Sequence, residues 1–203
     1  MLLFDGGRAP NARRVRIFLA EKGISVPMQP IDIGKMEQRT ESFLAINPLG
    51  CVPALKLDDG TVITESVAIC RYFEELQPDP PLFGVGALGK ALVEMWNRRA
   101  ELELYLSVQH AFRHTHPGMA DYEVPQVAAW GEANRPRAIA AMQLIDAQLA
   151  KHRYVAGERY SIADITTLVA VEFIKPAKIA IPDDLVHLKR WHAECAARPS
   201  ASA

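Results

Sequence analysis

The chain has 203 residues, of which 49% are apolar, and 23 lysines and arginines stand against 24 aspartates and glutamates for a formal net charge of −1. That length buries two modest cores or one large one, and the near-balanced charge offers no overall field to attract nucleic acid or an anionic membrane surface. The apolar runs are too short to span a bilayer, so no membrane association is expected.

The elements follow in chain order. Met1-Leu2-Leu3-Phe4 has neither the basic start nor the long apolar run of a signal peptide, and it reads as a first strand. Asn11 to Lys22 carries Ala12, Val15, Phe18 and Leu19 at helical spacing, with Arg13, Arg14 and Arg16 around the remaining, solvated face, and Gly23 as its stop. Ser25 to Ile33 reads as an edge or irregular strand because Pro27 and Pro30 each lack a ladder donor. Val52 to Leu57 and Thr61 to Ile63 flank Asp58-Asp59-Gly60, a hairpin signal. Glu65 to Leu76 is a helix with Val67, Ile69, Cys70 and Phe73 inside. The order is β-α-β-(short α)-β-β-α.

Gln77 to Gly86 is rich in proline and glycine and cannot continue a helix. It divides a first domain, residues 1–78, from a second, residues 88–203, that reads as almost wholly helical. The expected helices there are Ala87 to His114, a stretch within Glu123 to His152, Ser161 to Ile174 and Asp184 to Ala197. Ser161-Ile162-Ala163-Asp164 matches a capping box with Asp at its fourth position, a folding signal and not a catalytic one.

Cys51, Cys70 and Cys195 lie far apart and form no CxxC pair. They supply no zinc site and no disulfide framework, so a reduced, cytoplasmic setting is expected. His110 and His114 stand four apart, the spacing of two ligands on one helix face, but no third ligand has a fitting position, and no metal is expected. Glu65-Ser66 falls where a strand ends and a helix begins. The first N–H groups of that helix are unpaired and partly positive, so a ligand carboxylate fits there; capping by either side chain is the competing role.

Three stretches together resemble the cytosolic glutathione transferases. They are Pro10 to Ile24 near the start, Asn47-Pro48-Leu49-Gly50-Cys51-Val52-Pro53-Ala54-Leu55 with Glu65 to Tyr72, and Tyr154 to Ile165 in the second half. The resemblance implies a thioredoxin-like N-terminal domain followed by an all-helical C-terminal domain, commonly as a homodimer, with glutathione bound as co-substrate in a cleft beside the first domain. It implies a cis bond ahead of Pro53, with the main chain of Val52 turned outward to pair with the cysteinyl part of glutathione. It assigns Glu65 and Ser66 to the γ-glutamyl end, and Gln38 to the glycyl end.

Activity in such a protein rests on the glutathione thiolate. Lowering a thiol pKa from ~8.5 by about two units takes roughly 2.7 kcal/mol. A helix N-terminus supplies ~0.3–1 kcal/mol, and a hydrogen bond to the charged sulfur roughly 1.5–3 kcal/mol, so both together suffice. The usual Tyr, Ser or Cys donor is missing, since Phe4, Ala9 and Pro10 occupy the corresponding positions. Asn11 is the polar group left; it either donates to the sulfur, as an asparagine does in the similar bacterial nu class, or caps the first helix.

Three functions are therefore open. A transferase would pass the thiolate to a small electrophile lodged against the helical domain, with Tyr105, Phe112, Met119 and Trp130 as lining candidates that also suit a core or interface. A glutathione-dependent disulfide reductase would act on a small disulfide, with Cys51 as a competing nucleophile unless it is a buried, inert thiol. A non-catalytic binding module is the third, although it would have no need of a head-group site.

Overall fold

The computed structural model describes all 203 residues. The chain divides into two units, Met1–Leu82 with Pro199–Ala203, and Phe83–Arg198.

In the first unit, β1 (Leu2–Asp5) is central, in a four-stranded sheet of order β2-β1-β3-β4. Both Leu3 and Phe4 are buried although they point to opposite faces, because the sheet is covered on both sides. The chain then enters α1 (Pro10–Lys22) with Pro10 at its first position, where a missing N–H costs nothing. Gly23, at φ 65°, ends α1: its N–H returns to the Ala20 carbonyl and that of Ile24 to the Leu19 carbonyl. This is the Schellman closure that glycine makes without a Cβ clash.

β2 (Met28–Pro30) lies parallel to β1, with Leu3 opposite Met28 and Phe4 opposite Gln29. It is shorter than the Ser25–Ile33 span and wholly exposed, an edge strand that starts just after Pro27 and ends on Pro30. A short α2 (Glu41–Leu44), capped by Thr40, leads to β3 (Ala54–Lys56), antiparallel to β1. Asp59 takes the Thr61 N–H in the turn to β4 (Val62–Ile63). α3 (Ser66–Leu76) completes the order and packs on α1. This is the thioredoxin-like arrangement. One core lies between the sheet and α2, where Phe4 and Phe43 meet edge to face at 6.0 Å beside Ile31 and Ala54.

The last five residues fold back onto this unit, an attachment without any sequence signal. Arg13 donates to the Ala201 carbonyl at 2.8 Å, and Ser200 bonds to Glu21.

The second unit is helical throughout. α4 (Gly86–Arg99) and α5 (Leu106–Thr115) are joined by a π-helical stretch, Ala100–Tyr105, so the expected single helix is one run with a wider turn inside it. α6 (Ala128–Leu149), α7 (Ile162–Glu172) and α8 (Val186–Ala196) follow. Residues Ile162 through Val171 of α7 are all buried, as suits a helix that is apolar on nearly every side. Its start is the capping box formed by Ser161 and Asp164. The Asp164 carboxylate also takes the Val155 N–H and the Trp191 indole N–H, each at 2.9 Å. Burial pushes this carboxyl up to about 6, against the pull of those donors.

Candidate functional site

The site is built on the first unit, at the mouth of β3 and at the starts of α1 and α3. Asn47, 2% exposed, organises the approach to β3. Its amide donates to the Cys51 carbonyl at 2.7 Å and accepts the Leu49 N–H at 3.2 Å. Gly50 turns with φ 60°, and a Cβ there would stand 2.9 Å from the Arg39 guanidinium and 3.0 Å from the Gln38 carbonyl, so a larger residue would be strained and would have to displace both. The chain emerges into a cis Val52–Pro53 bond. Val52 is half-buried, and neither its N–H nor its carbonyl bonds to another group of the protein. That leaves the main-chain N–H and carbonyl of Val52 free to pair with a peptide.

At the start of α3, Glu65 holds φ 63° and ψ 115°, a left-handed conformation that costs a non-glycine residue about 1–3 kcal/mol and clusters at ligand sites. Its exposed side chain caps nothing. The helix begins with Ser66, 5% exposed, whose hydroxyl accepts from Arg14 at 2.6 Å. Capping therefore does not account for either residue. The first N–H groups of α3 have no partner along the helix and no side-chain cap.

Asn11 sits inside the first turn of α1. The N-cap is Ala9, which has no side chain to cap with, so the capping alternative for Asn11 falls. Its carbonyl oxygen accepts from Arg14 at 2.9 Å. Arg14 itself was assigned to a solvated face, yet it is 0% exposed. The helical pattern shows one apolar stripe, but α1 packs against both α3 and the C-terminal turn Pro199–Ser202, and α3 meets Arg14 through Ser66 and Lys22 through Glu74.

Gln38 is 4% exposed, its amide N–H₂ turned to the Met36 sulfur at 3.9 Å and its carbonyl oxygen without a partner. Its neighbour Arg39 is exposed and reaches the Leu49 carbonyl at 3.5 Å, beside Gly50. Arg39 is the basic group at this edge that sequence reasoning passed over; the residue following Gln38 in a 3-10 turn was the only signal for it.

Phe4 is part of the core, and no side chain near the end of β1 takes the place of a tyrosine. Cys51 is exposed, with its sulfur 3.5 Å from the Leu49 carbonyl, which overturns its reading as a buried thiol. Cys70 and Cys195 are buried, and burial pushes the Cys70 thiol up to about 12, far from any use as a nucleophile.

In the helical unit, Tyr105 is buried, Phe112 packs edge-on to Phe173 at 5.0 Å, and Met119 is half-buried. Trp130 is 41% exposed and lies against His110. His114 spends its Nδ1 on the Val127 N–H and has Glu123 3.6 Å from Nε2, a structural use of both nitrogens. No helix is long and apolar enough to cross a membrane.

Comparison with known proteins agrees with this architecture. Residues 9–76 match the family model of the glutathione S-transferase N-terminal domain, and residues 126–199 that of the C-terminal domain. Glutathione S-transferase 2 of Saccharomyces cerevisiae is 39% identical over 98% of this chain and 87% of its own. Among solved structures, a glutathione S-transferase domain-containing protein of Marinobacter aquaeolei is 39% identical, with a TM-score of 0.95 over 98% of this chain and 99% of its own. Gtt2 of Saccharomyces cerevisiae is 38% identical with a TM-score of 0.95, over 100% of this chain and 99% of its own. A matched pair of domains in this order, with near-complete coverage at this identity, means that the chain belongs to the glutathione S-transferase family.

Proposed function

We propose that the protein is a glutathione transferase that conjugates the glutathione thiolate to a small electrophile. The unpaired main chain of Val52, beside Pro53, takes the cysteinyl part of the tripeptide. The γ-glutamyl carboxylate meets the open start of α3 and the Ser66 hydroxyl, and its ammonium meets the Glu65 carboxylate. Gln38 was expected at the glycyl end; its burial favours Arg39, the exposed cation beside Gly50, as the group that receives the glycyl carboxylate. Asn11 donates its N–H₂ to the sulfur. A hydrogen bond to a thiolate contributes roughly 1.5–3 kcal/mol, and the α1 N-terminus adds a smaller favourable field.

The observation that carries this reading is the combination at α3: a strained Glu65 ahead of an uncapped helix start, with the buried Ser66 beside it. Strain and unpaired donors persist where a ligand uses them. Calorimetry with reduced glutathione at millimolar concentration tests it, followed by conjugation to an activated chloronitrobenzene; heat on binding and thioether formation are expected, and absence of heat would refute the reading. Asn11→Ala should raise the pKa of the bound thiol by about one to two units, seen as a shift in the thiolate absorbance titration.

Exposure of Cys51 next to Val52 favours a second reading, glutathione-dependent reduction of a small disulfide with a protein thiol in reach. Full turnover of such a disulfide by Cys51→Ala would remove that thiol from the reaction. The proposal includes a homodimer in the cytoplasm. Leu88, Leu92 and Met95 are all exposed along α4 at spacings of four and three, an apolar stripe that a second copy would cover.

A further inference from the structure

Arg14 lies one turn beyond Asn11 on α1, on the same face. It is 0% exposed, and its Nη1 donates both to Asn11 Oδ1 at 2.9 Å and to Ser66 Oγ at 2.6 Å. One buried cation thus joins two residues that come from different helices and that the proposed function assigns to different groups of glutathione.

A guanidinium has N–H donors and no acceptor, so every partner of Arg14 has to accept. That removes a choice from each. An asparagine amide can turn either its oxygen or its nitrogen to a neighbour; with Oδ1 held by Arg14, Nδ2 and its two hydrogens are turned away from the guanidinium. A serine hydroxyl can donate or accept; with a lone pair occupied by Arg14, its single O–H is left to donate elsewhere. The two ligand groups assigned to these residues, a thiolate and a carboxylate, are both acceptors. The same bonds polarise the amide and the hydroxyl, which strengthens them as donors in a poorly solvated setting.

We propose that Arg14 is a positioning residue that locks Asn11 and Ser66 as donors, and so couples sulfur activation to capture of the γ-glutamyl head. The proposal rests on the glutathione reading above. It gives the missing Tyr, Ser or Cys a replacement in two parts, an amide that touches the sulfur and a buried arginine behind it that sets its direction. A surface arginine could add field, but it could not fix which end of the amide faces the ligand.

The test uses Arg14→Met, which keeps the length of the side chain and removes every donor, alone and combined with Asn11→Ala. Two quantities are read: the pKa of the thiol of bound glutathione, and the affinity for S-methylglutathione, which has the head group and no ionisable sulfur. Arg14→Met should raise the thiol pKa by about one unit, a tenfold loss of thiolate near neutral pH, and weaken S-methylglutathione about tenfold. In the Asn11→Ala background the thiol shift should vanish while the loss of S-methylglutathione affinity remains. An unchanged thiol pKa in Arg14→Met, or an equal shift with and without Asn11, would overturn the positioning role. Failure of the unaltered protein to bind glutathione would instead overturn the reading beneath it. Should Arg14→Met not fold, Asn11→Asp carries the test. It keeps an acceptor for Arg14 and puts a second acceptor where the N–H₂ was, so the thiol pKa should rise above that of Asn11→Ala; a value no higher overturns the proposal.

Discussion

The starts of α3 and α7 pose the same chemical problem and resolve it in opposite ways. Each helix begins with unpaired N–H groups and a local positive field, and each has a serine and an acidic residue at hand. At α7 the protein closes the end with its own side chains. Ser161 and Asp164 bond to each other's main chain, Val155 and Trp191 supply further donors, and Asp164 is 0% exposed. At α3 the acidic residue precedes the serine, in a left-handed conformation and with no side-chain bond to the helix end, and the serine bonds to Arg14 instead. A helix start that is satisfied internally holds the fold together; one that is left open is available to a ligand.

Removing Asp164 should have the largest effect. Asp164→Ala strands two main-chain donors, a hydroxyl and an indole N–H inside the helical unit, and should cost about 3–4 kcal/mol, read as a loss of several degrees in melting temperature. A melting point within about a degree of the unaltered protein would break the comparison. The penalty should also depend on pH. The folded pKa, about 6, lies above the unfolded value near 3.9, so folding favours the protonated acid. Stability from this group is then complete below about pH 4 and is lost as pH rises through about 6. Denaturant melts of both proteins across that window should show the Asp164→Ala deficit shrinking with rising pH; a constant or growing deficit contradicts it.

Glu65→Gly sharpens the contrast by separating fold from function. Glycine adopts a φ of 63° freely, so relief of strain should offset the added chain entropy and leave stability within about 1 kcal/mol or slightly improved. Glutathione affinity should nevertheless fall about tenfold with the lost carboxylate, in calorimetry. The smallest effects should come from the paired serines. Ser161→Ala should lower stability by about 1 kcal/mol and leave glutathione binding intact, whereas Ser66→Ala should weaken glutathione by about the same free energy. If both serines moved only the melting temperature, the start of α3 would be structural after all.

Local signals were enough wherever an element is made by near neighbours in the chain. The stop at Gly23, the Asp58-Asp59-Gly60 turn, the edge character of β2 and the Ser161–Asp164 box each need only a few consecutive residues, and each is present. Val52, Glu65 and Ser66 were legible as a candidate site through family likeness and through the unpaired donors at a strand-to-helix junction. The π-helical turn inside the α4–α5 run left no such trace, because its apolar spacing remains near that of a helix.

The residues misjudged are those whose surroundings come from distant parts of the chain. Arg14 reads as solvated from its own helix and is buried because α3 brings Ser66, 52 residues away, against it. Cys51 reads as a small core thiol and is exposed, because Asn47 and Gly50 turn the chain outward just before it. Gln38, expected at the glycyl end, is buried in a 3-10 turn whose next residue, Arg39, is exposed. The amino-acid order alone settled the succession of elements and the family, since propensity, capping and turn chemistry act over a handful of residues. Which polar groups are enclosed, which way Asn11 faces and which helix start stays open were decided by tertiary packing, because burial and hydrogen-bond direction depend on what the rest of the chain places alongside.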